Sequence, residues 1–159
     1  MTDIQTDTQT APQTAIDRFF QAFQRASADG DMPALTTLFA DTFLTAGPQG
    51  ARCIPAAVFA PVAAGRKQLF DRLGCRPAEL VSVTPTPLDS RYTLVRTEWR
   101  FVFEPPGRQS EIIPVESTYL LDTSAEPCRI LAYIAHHDIM TILRNRGLLA
   151  DDPLPAPLK

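Results

Sequence analysis

Fifteen of the 159 residues are proline, about 9% against a usual share near 5%, while glycine contributes only seven. A proline inside a helix costs about 3 kcal/mol, because it lacks the N–H and crowds the preceding turn. Prolines spread along the whole chain therefore exclude a long helical bundle and call for short elements with rigid connections. They avoid residues 13–32, 88–104 and 128–152, and gather at Pro33, at Pro48, Pro55 and Pro61, at strand ends and turns, and after residue 152. With 45% hydrophobic and 21% charged residues, the chain reads as one ordinary globular domain.

The formal net charge of -3 is the wrong sign for a protein held to nucleic acid by counterion release. No basic run suggests a membrane tether, and no apolar run reaches the ~18 residues needed to span a bilayer. Cys53, Cys75 and Cys128 are an odd set without Cys-x-x-Cys spacing. Reduced thiols in a cytoplasmic protein are expected, with no metal and no cofactor. Residues 1–13 are rich in Thr, Gln and Asp, lack the basic and apolar regions of a signal peptide, and are expected to form a disordered tail. Residues 151–159 read as a second, extended tail, which leaves 14–150 as the domain.

Thr14 is placed to cap a first helix whose Ile16, Phe19, Phe20 and Phe23 share one apolar face. Gly30 stops it, and Asp31 caps a short second helix with Pro33 in its first turn. Residues 41–46 predict a strand. Residues 51–64, interrupted by Pro55 and Pro61, predict a loop with at most one helical turn, and 66–73 a third helix ended by Gly74. The rest predicts strands: 80–85, then 92–104, where Thr93, Val95, Thr97, Trp99, Phe101 and Phe103 alternate with Arg96, Glu98 and Arg100. After a Pro105-Pro106-Gly107 turn, Ile113, Val115, Ser117, Tyr119 and Leu121 share a face, with Pro114 marking a bulge or irregular start. In the last strand, 129–137, Leu131, Tyr133, Ala135 and His137 are expected on one side. Asp138 caps a final helix. This order describes an α+β fold, a curved antiparallel sheet of four to six strands wrapped around helices.

The run from Gly30-Asp31 through Leu35 and Leu38 to Phe39-Ala40-Asp41 resembles a signature of the nuclear-transport-factor-two-like superfamily. Gly65-Arg66-Lys67-Gln68-Leu69 resembles its third-helix opening. The ending from His137-Asp138 through Leu143-Arg144 to Gly147 is similar to the tail of its SnoaL-like polyketide cyclase members, which are relatives of the ketosteroid isomerases. The resemblance covers about residues 14–150 and implies a cystatin-like cone with a central apolar pocket.

Carried over position by position, the isomerase chemistry is missing. The place of the carboxylate base is Gly47, the tyrosine oxyanion donor falls at Phe23, and the protonated aspartic acid falls near Ser117. The Arg-x-Asp of the epoxide hydrolases is mimicked by Arg96-Thr97-Glu98. Both charges alternate away from Trp99, so an outer-face ladder of Arg96, Glu98, Arg100 and Glu116 is expected instead.

Phe19, Phe23, Thr97, Trp99, Phe101, Ser117 and Tyr133 are the expected pocket residues. Among inward polar groups only His137 titrates near neutrality, which makes it the candidate general acid or base, with Tyr119 as hydrogen-bond donor. The plainer reading is a rim histidine satisfied by a carbonyl or a tyrosine hydroxyl. Residues 48–64 are either a lid over the mouth or a packed Pro-rich loop. The expected function is binding of a small apolar, carbonyl-bearing molecule, with or without proton-transfer chemistry. The alternative is a non-catalytic assembly domain. The resemblance also implies a homodimer through the outer sheet face, where Arg96, Glu98 and Glu116 lie.

Overall fold

The computed structural model describes residues 10–150, with side chains from residue 15 onward; the two expected tails lie mostly or wholly outside that range. Four helices, α1 (Thr10–Asp29), α2 (Met32–Thr36), α3 (Ala56–Arg72) and α4 (Ile139–Asn145), accompany one six-stranded sheet. Its strands are β1 (Phe39–Gly47), β2 (Gly50–Pro55), β3 (Glu79–Pro87), β4 (Tyr92–Phe103), β5 (Glu111–Asp122) and β6 (Arg129–Ala135). They lie in the order β2-β1-β6-β5-β4-β3. Every neighbouring pair is antiparallel except β1 with β6, so the sheet is mixed. None of the helices in this range is long and apolar enough to cross a membrane.

The two long strands behave as their alternation predicts. β4 and β5 pair without a break from Tyr92↔Asp122 to Phe103↔Glu111. Thr93, Val95, Thr97, Trp99 and Phe103 are buried from β4, and Ile113, Val115, Ser117, Tyr119 and Leu121 from β5. Pro114 is paired with Arg100 in register and makes no bulge on that side. β6 pairs with β5 only from Ser117 onward, so a missing N–H at Pro114 leaves no neighbouring strand short of a donor. Bulges bend the sheet, at Leu80/Ser82 in the β3–β4 ladder and at Leu120/Leu121 against β6. The second one also shifts the frame of β6. Ile130 is fully buried where Leu131 was expected, Tyr133 stays inward, and the strand ends at Ala135, before His137.

α1 begins at Thr10, so Thr14 lies within the helix and does not cap it. Its apolar stripe packs on the sheet: Phe20 is fully buried and meets Tyr119 edge-on at 5.3 Å. Burying each such side chain stabilises the fold by about 1.5–3 kcal/mol. Asp31 caps α2 by accepting from the Ala34 N–H at 3.1 Å. Leu38 and Phe39 are buried as expected, although Phe39 already opens β1.

Residues 51–64 are not a loop. They complete a β1–β2 hairpin and then form the first half of α3, which runs straight through Pro61. Pro61 is the sixth residue of α3, and the carbonyl it leaves without a donor belongs to Ala57. Both residues are exposed, so water can take that bond, which is why the helix survives. At the other end Gly74 turns the chain at φ +75° and lies against β4. The Glu104 N–H donates to its carbonyl at 2.8 Å, and an added Cβ would stand 2.3 Å from the Glu104 carbonyl oxygen. Gly107 has a similar φ of +73° but open space around it. Gly107→Ala should therefore cost only the left-handed strain, roughly 1–2 kcal/mol. Gly74→Ala should cost distinctly more, measured as the shift in urea midpoint; equal shifts would show that the close approach to Glu104 does not matter.

Candidate functional site

The concave face of the sheet and the three helices laid across it leave a cavity of about 290 Å³. β4 and β5 supply Trp99, Phe101, Val115, Ser117 and Tyr119, and β6 supplies Tyr133. α1 contributes Phe23, and α3 contributes Phe59, Ala63 and Phe70. The rings form a connected lining: Phe23 lies 5.9 Å from Trp99 and 5.8 Å from Tyr119, and Tyr119 lies 5.2 Å from Tyr133. These are the offset and edge-on separations that aromatic quadrupoles favour.

Polar groups are few and placed. The Trp99 indole donates to Thr97 Oγ1 at 2.9 Å, and the Thr97 hydroxyl donates to the Ser117 carbonyl at 3.1 Å. The relay satisfies an N–H that burial would otherwise leave stranded and fixes the indole plane against the cavity. Burial pushes the Tyr119 phenol well above its ordinary pKa, and neighbouring Tyr133 acts in the same direction. Trp99 and Ser117 offset this only in part, so Tyr119 is a neutral O–H donor at physiological pH. Cys75, also on the lining, is raised by burial and by Asp71 to about 11, which keeps its thiol protonated and unreactive. At the mouth, Lys67 is paired with Asp71 at 2.9 Å and Arg76 with Glu104, while the Arg66 guanidinium stacks 5.0 Å from the Phe70 ring centre.

Of the residues expected in the pocket, Phe23, Trp99, Phe101, Ser117, Tyr119 and Tyr133 line the cavity. Phe19 and Thr97 do not. Phe19 is 2% exposed and packs as core, and Thr97 lies behind Trp99 as its hydrogen-bond acceptor. His137 is also elsewhere. It follows the end of β6, is exposed, and lines a neighbouring hollow with Gln49 and Arg144. Asp138 beside it caps α4, accepting from the Thr141 N–H at 3.3 Å and hydroxyl at 2.9 Å, and from Gln49 at 2.7 Å. Burial works to raise its carboxyl, but those hydrogen bonds outweigh burial and hold it below the usual range. His136 sits on the outer face, 2.7 Å from the Thr118 hydroxyl. Arg96 and Glu98 point outward as expected, Arg96 pairing with Glu116 at 2.6 Å. Among the described residues, no three His, Cys, Asp or Glu side chains converge to hold a metal ion.

The α3 wall was missed at the level of sequence. Phe59, Ala63, Arg66 and Phe70 recur at helical spacing, a signal hidden by the proline between the first two. Relieving the Trp99 relay tests its role. Thr97→Val keeps the shape but strands the indole N–H, and should destabilise the fold by roughly 1–3 kcal/mol in urea unfolding and shift the emission of the single tryptophan.

No family model matches the chain, and no curated protein matches it. Solved structures do. A protein of Novosphingobium aromaticivorans provisionally named a scytalone dehydratase is 12% identical, with a TM-score of 0.67 over 81% of this chain and 85% of that one. An NTF-2 like protein of unknown function from Shewanella oneidensis is 13% identical, with a TM-score of 0.59 over 79% and 99%. A protein of Xanthomonas campestris provisionally named a polyketide cyclase is 14% identical, with a TM-score of 0.54 over 82% and 96%. The chain thus has the α+β, cystatin-like fold of the nuclear-transport-factor-two-like proteins.

Proposed function

We propose that this protein binds a small apolar molecule, about the size of a bicyclic ring system, in the aromatic cavity, with a carbonyl or similar acceptor facing Tyr119. The observation that carries it is the cavity itself: about 290 Å³, near the lower bound for ligand sites, walled by rings and lined by the buried hydroxyl-bearing residues Tyr119 and Ser117. Similarity in fold to proteins provisionally named as a dehydratase and a cyclase is compatible with this use, but fold alone does not choose a function. Proton transfer by His137 is not part of the proposal, because that side chain lines the neighbouring hollow and not the cavity.

Trp99 is the chain's single tryptophan and lies on the cavity wall, so it reports occupancy directly. Titration with a bicyclic ketone such as 2-decalone should change its emission saturably. Tyr119→Phe should weaken binding by roughly threefold to tenfold, the worth of one hydrogen bond. Ala63→Phe, which puts a ring into the space, should abolish binding while the far-ultraviolet dichroism is retained. Undiminished binding in Ala63→Phe would place the ligand elsewhere.

A second proposal concerns assembly. Leu94 and Ile134 are exposed on the outer sheet face beside the Arg96–Glu116 pair, and Ile112 lies exposed farther along β5. A homodimer through this face would cover them. Sedimentation should show a dimer that Ile134→Glu converts to monomer; a monomer in the unaltered chain at micromolar concentration counts against it.

A further inference from the structure

Beside the aromatic cavity, between the β1–β2 hairpin, the end of β6 and α4, lies a hollow of about 750 Å³. Three arginines line it from three elements, Arg52 on β2, Arg66 on α3 and Arg144 on α4. Arg18, Arg76, Arg91, Arg96, Arg100 and Arg146 each stand within 4.0 Å of a carboxylate. Like Arg25, Arg72, Arg108 and Arg129, Arg52, Arg66 and Arg144 have no carboxylate within 4.0 Å among the described residues, but these three line one hollow together. The hollow's one carboxylate, Asp138, is occupied by Thr141 and Gln49. In a chain with net charge -3, like charges left together in a concave, partly apolar site raise its positive potential and attract an anion.

The two spaces adjoin. Arg66, Val115 and Tyr133 line both, and Arg66 lies over Phe70 of the cavity wall. Resting on the ligand-binding reading above, we propose that the natural ligand is an apolar molecule bearing an anionic group, a carboxylate or a phosphate monoester. Its ring system occupies the aromatic cavity, and its anion is held by Arg66 with Arg144 and Arg52. Guanidinium suits either group, since its planar fork donates two parallel hydrogen bonds to a pair of anionic oxygens.

Calorimetry on the intact chain with three probes of one ring system tests this: 2-naphthoate, 2-naphthyl phosphate and the neutral 2-naphthamide. At least one anion should bind about tenfold more tightly than the amide, as charge-assisted hydrogen bonds imply. Which anion gains more distinguishes carboxylate from phosphate. The anion-to-amide ratio should fall toward one in Arg144→Gln and Arg52→Gln, with melting temperatures confirming that both variants fold. Equal affinities for the three probes, or an anion preference that both substitutions leave intact, overturns the anionic ligand and leaves the cavity standing. Failure of all three probes to bind removes the cavity reading, and this proposal with it.

Discussion

The pairing of β4 with β5 is the constraint on which the rest depends. Twelve residues on each strand run in unbroken register, and every second side chain faces the helices. A slip of β4 by one residue against β5 would turn Val95, Trp99 and Phe103 outward and bring Arg96, Glu98 and Arg100 into the core. Burying those charges without partners costs several kcal/mol each, so the register is strongly specified. The same register sets Thr97 opposite Ser117, and it is this adjacency that lets the Thr97 hydroxyl serve both the indole and the Ser117 carbonyl.

A curved face alone does not make a cavity. The helices must approach without filling it, and their anchoring explains how they do. α1 buries Ile16, Phe19 and Phe20 against the sheet but presents Phe23, which is only half-buried, to the cavity. α3 is held at its C-terminal end by the Gly74–Glu104 contact and the Cys75↔Phe103 bridge. Phe59, Phe70 and the small Ala63 then form the facing wall. Aromatic rings on both sides keep the space apolar, and the charged groups stay at its edge.

Proline served well as a marker of boundaries and poorly as a marker of disorder. Pro33, Pro48, Pro105 and Pro106 stand at a helix start and in turns, as their fixed φ suggests. Pro61 and Pro114 were misread for a common reason. Proline harms an element only where the missing N–H would have met a partner that cannot turn to water. At Pro61 the orphaned carbonyl belongs to exposed Ala57, and at Pro114 β6 has not yet joined the sheet. Whether a partner is present is a tertiary fact.

Alternation over residues 92–104 and 113–121, the apolar stripe of α1 and the capping residues Asp31 and Asp138 are local patterns. They determined the α+β class, the long hairpin and five of the cavity residues without knowledge of any neighbour. Tertiary structure decided three further matters. The bulge at Leu120/Leu121 put Ile130 in the core in place of Leu131, and β6 ended at Ala135, so that His137 lines only the neighbouring hollow, which it shares with Tyr133. The packing of Phe19 and Thr97 behind the lining took both out of the site. The approach of β2, α3 and α4 assembled Arg52, Arg66 and Arg144 around one hollow. Periodicity is carried by neighbours along the chain, whereas a bulge, a second packing layer and a meeting of three elements depend on contacts between residues far apart in it.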